Sequence, residues 1–275
     1  MIDFPDRSGD AASERYEREA EFHDARFAMP EGRRADRFYA INRASSAFYF
    51  SQLDTASRSA SVLDYGCGEG AYSAMHAAAD GRRVTAVDLS EVAVERARAK
   101  AREHGIDGRV DFRVMNAEAL EFPAESFDLV CGNGVLHHLD LERSLTEVRR
   151  VLASDGRALF MEPMGHNPMI NLYRSRTPEQ RTPDEHPLLV KDLELLRRYF
   201  AKVEVTFFHL LSLLALPLRR SSRFGDLLTR LEAADRALFR RLPAVQRFAW
   251  VVVLDLQDPI RPVTGQIHPP TVLAR

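Results

Sequence analysis

The chain is 275 residues long with 45% hydrophobic and 28% charged content, enough for one large domain, or a domain and a cap, around a substantial core, which excludes disorder for most of its length. A net charge of −2 and a pI near 6.5 exclude the basic field of a protein that grips nucleic-acid backbone over a broad face. Two cysteines, Cys67 and Cys131, exclude a disulfide framework or a cysteine-rich metal cluster and suit a reducing, cytoplasmic setting.

Residues 1–58 read as a helical N-terminal cover. The first two dozen are rich in acids and lack an apolar run, so no signal peptide or anchor is expected there. Helices are expected over 11–28 and 34–54, the second carrying Phe38, Ile41, Phe48 and Tyr49 at roughly helical spacing. From Ser61 short apolar strands alternate with helices: SVLDYG, a helix AYSAMHAAA, RVTAVDL, then a helix from Glu91 with Ser90 as N-cap and Gly105 past its end. RVDFRVM, SFDLVCG, the helix LERSLTEVRRVL and the strand GRALFME continue the rhythm. It predicts a parallel sheet with helices on both faces.

Residues 163–187 are polar and proline-rich. A helix (LVKDLELLRRYF), a strand (KVEVTFF), an insertion over 209–246, a strand within RFAWVVVLD and a surface arm over 259–275 complete the chain. The core is thus 59–208 with 247–258. The longest apolar stretch, Phe207 to Leu218, is broken by His209, Ser212 and Pro217 and is far short of the ~20 residues of a spanning helix, so no transmembrane segment is expected.

Gly66, Gly68 and Gly70 lie between Asp64 and Ala71, where a strand turns into a helix. An open α/β sheet holds ligands at such a place, against glycine backbone and a helix N-terminus. Alone the turn is ambiguous. Gly66, Gly68 and Ala71 also satisfy the dinucleotide fingerprint, with Asp88 near its ribose-binding acid, and tight turns use glycine for geometry alone.

The series VLDYGCGEG, VTAVDLS, Asn116 to Pro123, SFDLVCGNGVLHHL and EVRRVLASDGRALFMEP resembles the class I S-adenosylmethionine-dependent methyltransferases, in particular their small-molecule, UbiE-like branch, over about residues 60–163. The resemblance implies a Rossmann-like α/β fold of seven strands, the last antiparallel. It also implies S-adenosyl-L-methionine as cofactor, with S-adenosyl-L-homocysteine as product. Cofactor-binding roles then fall on Asp64, Gly66, Gly68 and Gly70 for the turn, Asp88 and Leu89 for the ribose, Asn116 and Ala117 for the adenine, and Asn133 for the methionine portion. Asn116 stands where the family often has Asp; an amide can both donate and accept at an adenine edge.

Asn133-Gly134-Val135-Leu136 replaces the N-P-P-[FYW] or D-P-P-Y motif of base N-methylation, and no Pro-Cys pair offers a cytosine nucleophile. Lys100, Lys191 and Lys202 are poorly placed for a lysine-centred ribose site. A small-molecule acceptor remains, without nucleic acid.

Among the nine histidines, His138 follows the fourth strand near the expected methyl group, while His166 and His186 flank the 163–187 segment on the ligand side of the sheet. These three are the candidate catalytic residues, as general base. Arg174, Arg176 and Arg181 are candidates for orienting the acceptor, with Tyr173 and His23 completing a substrate pocket. The polar segment reads equally as a loop whose charges pair among themselves. A metal site built from His23, Asp24, His166 and His186 lacks a ligand-spacing motif, and no metal is expected.

In the insertion, Leu227, Leu228, Leu231, Ala234, Leu238 and Leu242 share one helical face, and from His209 to Arg247 there are eight arginines against three acids. It reads as a lid, a homodimer interface or a peripheral membrane contact. The expected activity is methyl transfer to O or N of a small, partly apolar metabolite. A C-methyltransferase of a quinone- or lipid-like acceptor, a non-catalytic S-adenosylmethionine-binding scaffold and a nucleotide-dependent oxidoreductase are the alternatives.

Overall fold

The structure is a computed structural model and describes residues 10–28, 38 and 40–261. Helix α1 (Asp10–Ala28) and helix α2 (Arg43–Leu53) precede the sheet. Strands β1 (Ser61–Tyr65), β2 (Arg83–Asp88), β3 (Val110–Val114), β4 (Phe127–Asn133), β5 (Leu152–Pro163), β6 (Phe200–Phe208) and β7 (Val251–Pro259) form one seven-stranded sheet. Its order is β3-β2-β1-β4-β5-β7-β6. The first five strands are parallel, and β7 lies antiparallel between β5 and β6.

Helices α3 (Tyr72–Ala79), α4 (Glu91–Glu103) and α5 (Leu141–Val151) make the crossovers. Side chains alternate across a strand, and the inner strands are apolar on both faces. Val62, Leu129 and Leu159 join Tyr49, Leu53, Ala74 and Ala97 on one side of the sheet. Their neighbours Leu63, Val130 and Phe160 join Leu145, Val148 and Leu196 on the other. The run of alanines in α3 and α4 gives those helices a thin buried face.

The 163–187 stretch is more regular than its composition suggests. Asn167 caps α6 (Pro168–Ser175), its Oδ1 accepting from the Met169 and Ile170 N–H groups at 3.0 and 3.1 Å, with Pro168 at the first helical position. Ile170 points inward, whereas Met169 and Leu172 are exposed. Helix α7 (Val190–Leu196) then leads into β6.

The insertion folds as a 3-10 segment (Leu211–Leu218), helix α8 (Phe224–Arg241) and a second 3-10 segment (Pro243–Phe248), so the final strand starts at Val251 rather than Arg247. The buried residues of α8 are Leu228, Glu232, Asp235 and Phe239; of the expected leucine face Leu228 is buried, Leu227 and Leu231 pack partly buried against the same cluster, and Leu242 is exposed. Two acids thus share the buried side. Asp235 accepts the backbone N–H groups of Leu210, Leu211 and Ser212, and Glu232 pairs with Arg43 at 3.1 Å.

The expected C-terminal arm lies mostly outside the described residues, as does 29–37 of the expected N-terminal helices. Ile260 and Arg261 remain pinned: Ile260 N–H donates to Tyr199 O at 2.8 Å, and Arg261 donates to Arg149 O and Leu152 O, both at 2.5 Å. Among the described residues no helix is long and apolar enough to cross a membrane.

Candidate active site

Strand order reverses between β1 and β4, so the carboxyl ends of β1, β2, β4 and β5 open on a shared crevice, the place where open α/β sheets bind ligands. A cavity of about 1310 Å³ lies there. Gly66, Gly68 and Gly70 line it as β1 turns into α3. Gly66 sits at φ +70°, and a Cβ on it would fall 2.2 Å from Val135 Cγ2, so only glycine fits. Asp88 ends β2 with one carboxylate oxygen accepting from Gly68 N–H at 2.8 Å and the other from Ser90 N–H at 2.9 Å. Its carboxyl is raised, chiefly by burial, against the pull of those two donors.

Leu89, Asn116, Ala117 and Asn133 also line the cavity. Asn116 Oδ1 accepts the Glu118 N–H at 2.9 Å, and the buried Tyr65 hydroxyl donates to Ala117 O at 2.7 Å, so this turn is fixed from both sides. Asp64 differs from its expected role. It is buried beneath the turn, accepts from Ala74 N–H at 2.9 Å and does not line the cavity; burial pushes its carboxyl up to about 7. It shapes the start of α3.

Three acids that sequence reasoning passed over organise the opposite wall. Glu162, at the end of β5, is fully buried and accepts Val135 N–H and Leu136 N–H, both at 2.9 Å, and His137 Nδ1 at 2.8 Å, holding the 3-10 turn Leu136–His138 after β4. Glu118 receives both contacts of Arg15 (2.5 and 2.6 Å), the Tyr16 hydroxyl (2.8 Å) and Asp140 N–H (2.7 Å), and so ties α1 to the core. Glu19, on the same helix, faces His23 Nε2 at 3.4 Å and His138 Nδ1 at 3.5 Å. Burial opposes its ionisation, yet the His138 and His23 imidazoles and the Thr182 hydroxyl hold its carboxyl well below the usual range. Burial, with His137 beside it, pushes His138 down to about 4. At neutral pH the pair is therefore a carboxylate beside a neutral imidazole. The sequence signal for all three acids was weak: Glu162 stood at a strand end, and the other two fell within charged stretches.

His138 and His23 line the cavity, with rings in an edge contact 5.0 Å apart. His166 and His186 do not. His166 Nε2 faces Val190 N–H at 3.4 Å, and the exposed His186 turns its Nδ1 to Asp184 O at 3.0 Å while its own N–H donates to His137 O. Neither ring faces the cavity, His166 meeting backbone and His186 lying exposed. Arg176, at the C-cap of α6, is exposed and outside the cavity. Arg174 and Arg181 line it but are engaged: Arg174 pairs with Glu185 at 2.6 Å, and Arg181 donates to Arg174 O and Thr177 O. Tyr173 stacks near Phe38 at 4.6 Å, and Phe38 near Trp250 at 5.7 Å; with Phe22 and Ile170 they make an aromatic, apolar chamber. No residue of 209–246 lines the cavity, so the insertion backs this chamber, through Leu213 and Leu228 against Phe38 and Ile170, rather than lidding it.

Residues 63–160 match the family model described as a methyltransferase domain. Over that segment the chain carries a methyltransferase domain. The domain is similar to 27-O-demethylrifamycin SV methyltransferase of Amycolatopsis mediterranei (strain S699), 38% identical over 97 residues, 35% of this chain and 36% of that one. It is also similar to the ubiquinone/menaquinone biosynthesis C-methyltransferase UbiE of Hydrogenovibrio crunogenus, 35% identical over 104 residues, 37% and 41% of the two chains. The chain thus spans about two fifths of the length of the curated relatives it matches. Among solved structures, geranyl diphosphate C-methyltransferase from Streptomyces coelicolor A3(2) aligns with a TM-score of 0.60 at 19% identity, over 89% of this chain and 98% of that one. That likeness is one of fold alone, and it extends beyond the matched segment.

Proposed function

We propose that this chain transfers the methyl group of S-adenosylmethionine to an oxygen or nitrogen of a small, partly apolar acceptor and releases S-adenosylhomocysteine. The observation that carries the reading is a single cavity that holds the glycine turn and Asp88, an aromatic chamber, and the Glu19–His138 pair in its walls. The residues present fit the cofactor. Gly66, Gly68 and Gly70 present bare backbone to the cavity, and the Asp88 carboxylate, though raised by burial, keeps lone pairs beyond its two backbone donors. When bound, the cofactor supplies a methyl carbon already joined to its leaving group, so the protein's task is alignment and exclusion of water.

Asp88 would accept from the ribose hydroxyls, and Asn116 and Ala117 would flank the adenine. The chamber of Phe38, Tyr173 and Trp250 would seat the apolar body of the acceptor. With Arg174 and Arg181, the arginines of the 163–187 segment that line the cavity, already engaged, an acceptor held by aromatic contacts suits the chamber better than one held by its negative charge. His138, neutral at working pH, would receive the acceptor's proton on Nε2, with Nδ1–H toward Glu19 stabilising the cation formed. The test is release of S-adenosylhomocysteine with a panel of small phenols, aryl amines and prenylated quinols, the methylated position being read by NMR. Methyl ethers or methylamines support the proposal. Products methylated only on carbon would transfer it to the C-methyl class, and no product across the panel, with cofactor bound, would favour a binding protein.

A further inference from the structure

Glu19 and His23 stand four residues apart on one face of α1, and the 3-10 turn after β4 brings His138 against them. One ligand atom from each of the three lies within 4.8 Å of the others. The carboxylate is buried, and neither of its oxygens, nor His138 Nδ1, has a hydrogen-bond partner of normal geometry. The separations of 3.4 and 3.5 Å from Glu19 Oε2 to His23 Nε2 and His138 Nδ1 are long for hydrogen bonds. They match something else. Two ligands each ~2.1 Å from a tetrahedral ion stand ~3.4 Å apart.

We propose that Glu19, His23 and His138 form a site for one divalent transition-metal ion, bound through a carboxylate oxygen and two imidazole nitrogens, with a fourth position open to the cavity. Two nitrogens and one oxygen suit zinc, cobalt or nickel; magnesium prefers a shell of oxygens. The buried carboxylate gains a counter-charge, and three ligands with one open side are the pattern of a reactive rather than a purely structural zinc site. The ion would also clamp α1 to the turn after β4, adding to the Arg15–Glu118 contact that docks the same helix. Resting on the methyl-transfer reading, one consequence follows for turnover. A metal on His138 Nδ1 forces the ring proton to Nε2, so the ring cannot accept a proton there, and metal loading and methyl transfer exclude each other.

Binding is measured by calorimetry on the full chain, stripped with EDTA and titrated with zinc chloride. Cobalt chloride absorption in the visible reports ligand geometry, and neither measurement contains acceptor or S-adenosylmethionine. One ion per chain is expected, with tetrahedral cobalt bands. Both His23→Gln and Glu19→Gln should weaken binding by ~10-fold or more, as loss of one ligand of three requires. Absence of saturable one-to-one binding, or binding unchanged in both variants, overturns the site and leaves an adventitious ion only. Thermal melts without metal check that the variants fold, and the two substitutions fail independently. Once an acceptor is known, zinc should slow the wild-type chain reversibly, while the ratio of rates with and without zinc in His23→Gln stays near one. Because the titration needs no methyl transfer, a failed metal site and a failed methyltransferase reading give different results.

Discussion

His138 shows how much one side chain's surroundings decide. It is the histidine after β4 that meets the cavity beside a buried carboxylate, whereas His137 pairs with Glu162 and His166 and His186 stand outside the cavity. His138→Gln should keep S-adenosylmethionine affinity and lower turnover by the ~10² to 10⁴ typical of lost proton transfer. The pH profile carries a second signature. The working form is the neutral ring, present above its depressed value of about 4, so the wild-type rate should stay flat from pH 8 to below 6 and fall on the acid side. Single-turnover rates check both, and an acid limb near 6.5 would show that some other, exposed histidine is the base.

At the scale of elements, Glu162 is the residue on which the post-β4 turn depends. Glu162→Ala leaves two backbone N–H groups and the His137 ring without their acceptor in a buried place. Unmet donors cost ~1–3 kcal/mol each, so a loss of about 3 kcal/mol or more is expected, or roughly 6–12 °C in melting temperature for a chain of this size. A melting temperature within 2 °C of wild type would contradict that role. The parallel strands and their crossover helices were legible because alternation, Ser90 and the glycine turn all point one way. The Asn167-Pro168 start of α6 was equally present as a cap followed by proline, but its polar surroundings concealed it. The burial of two acids on α8 was not legible, because a leucine stripe outweighs acids until the partners of Asp235 and Glu232 are known. The same limit hid the Glu19 cluster, whose third member, His138, lies far from Glu19 and His23 in sequence and meets them only when α1 docks.

At the scale of the whole molecule, buried neutral histidines couple stability to pH. His209 is fully buried between Ser45 Oγ (2.9 Å) and Ser212 Oγ (3.2 Å), and burial drives it down to about 3. The unfolded chain takes up its proton below ~6.5 while the folded one does not. The stability it contributes is therefore intact above pH 6.5 and is lost as pH falls toward 3, at up to ~1.4 kcal/mol per pH unit. His138 acts in the same direction. Melting temperatures from pH 7.5 to 5 should fall less steeply in His209→Gln than in wild type, and parallel curves would contradict the assignment. The central claim, that this fold binds S-adenosylmethionine at the glycine turn and Asp88, is tested most directly by calorimetric titration of the cofactor into wild type and Asp88→Ala. The account predicts one saturable site in wild type and a loss of about 1.5–3 kcal/mol in the variant, as for hydrogen bonds to a charged group. A modest fall in melting temperature should accompany it, since Gly68 and Ser90 lose their acceptor. Equal affinity in the two proteins, or no saturable binding in wild type, would contradict it.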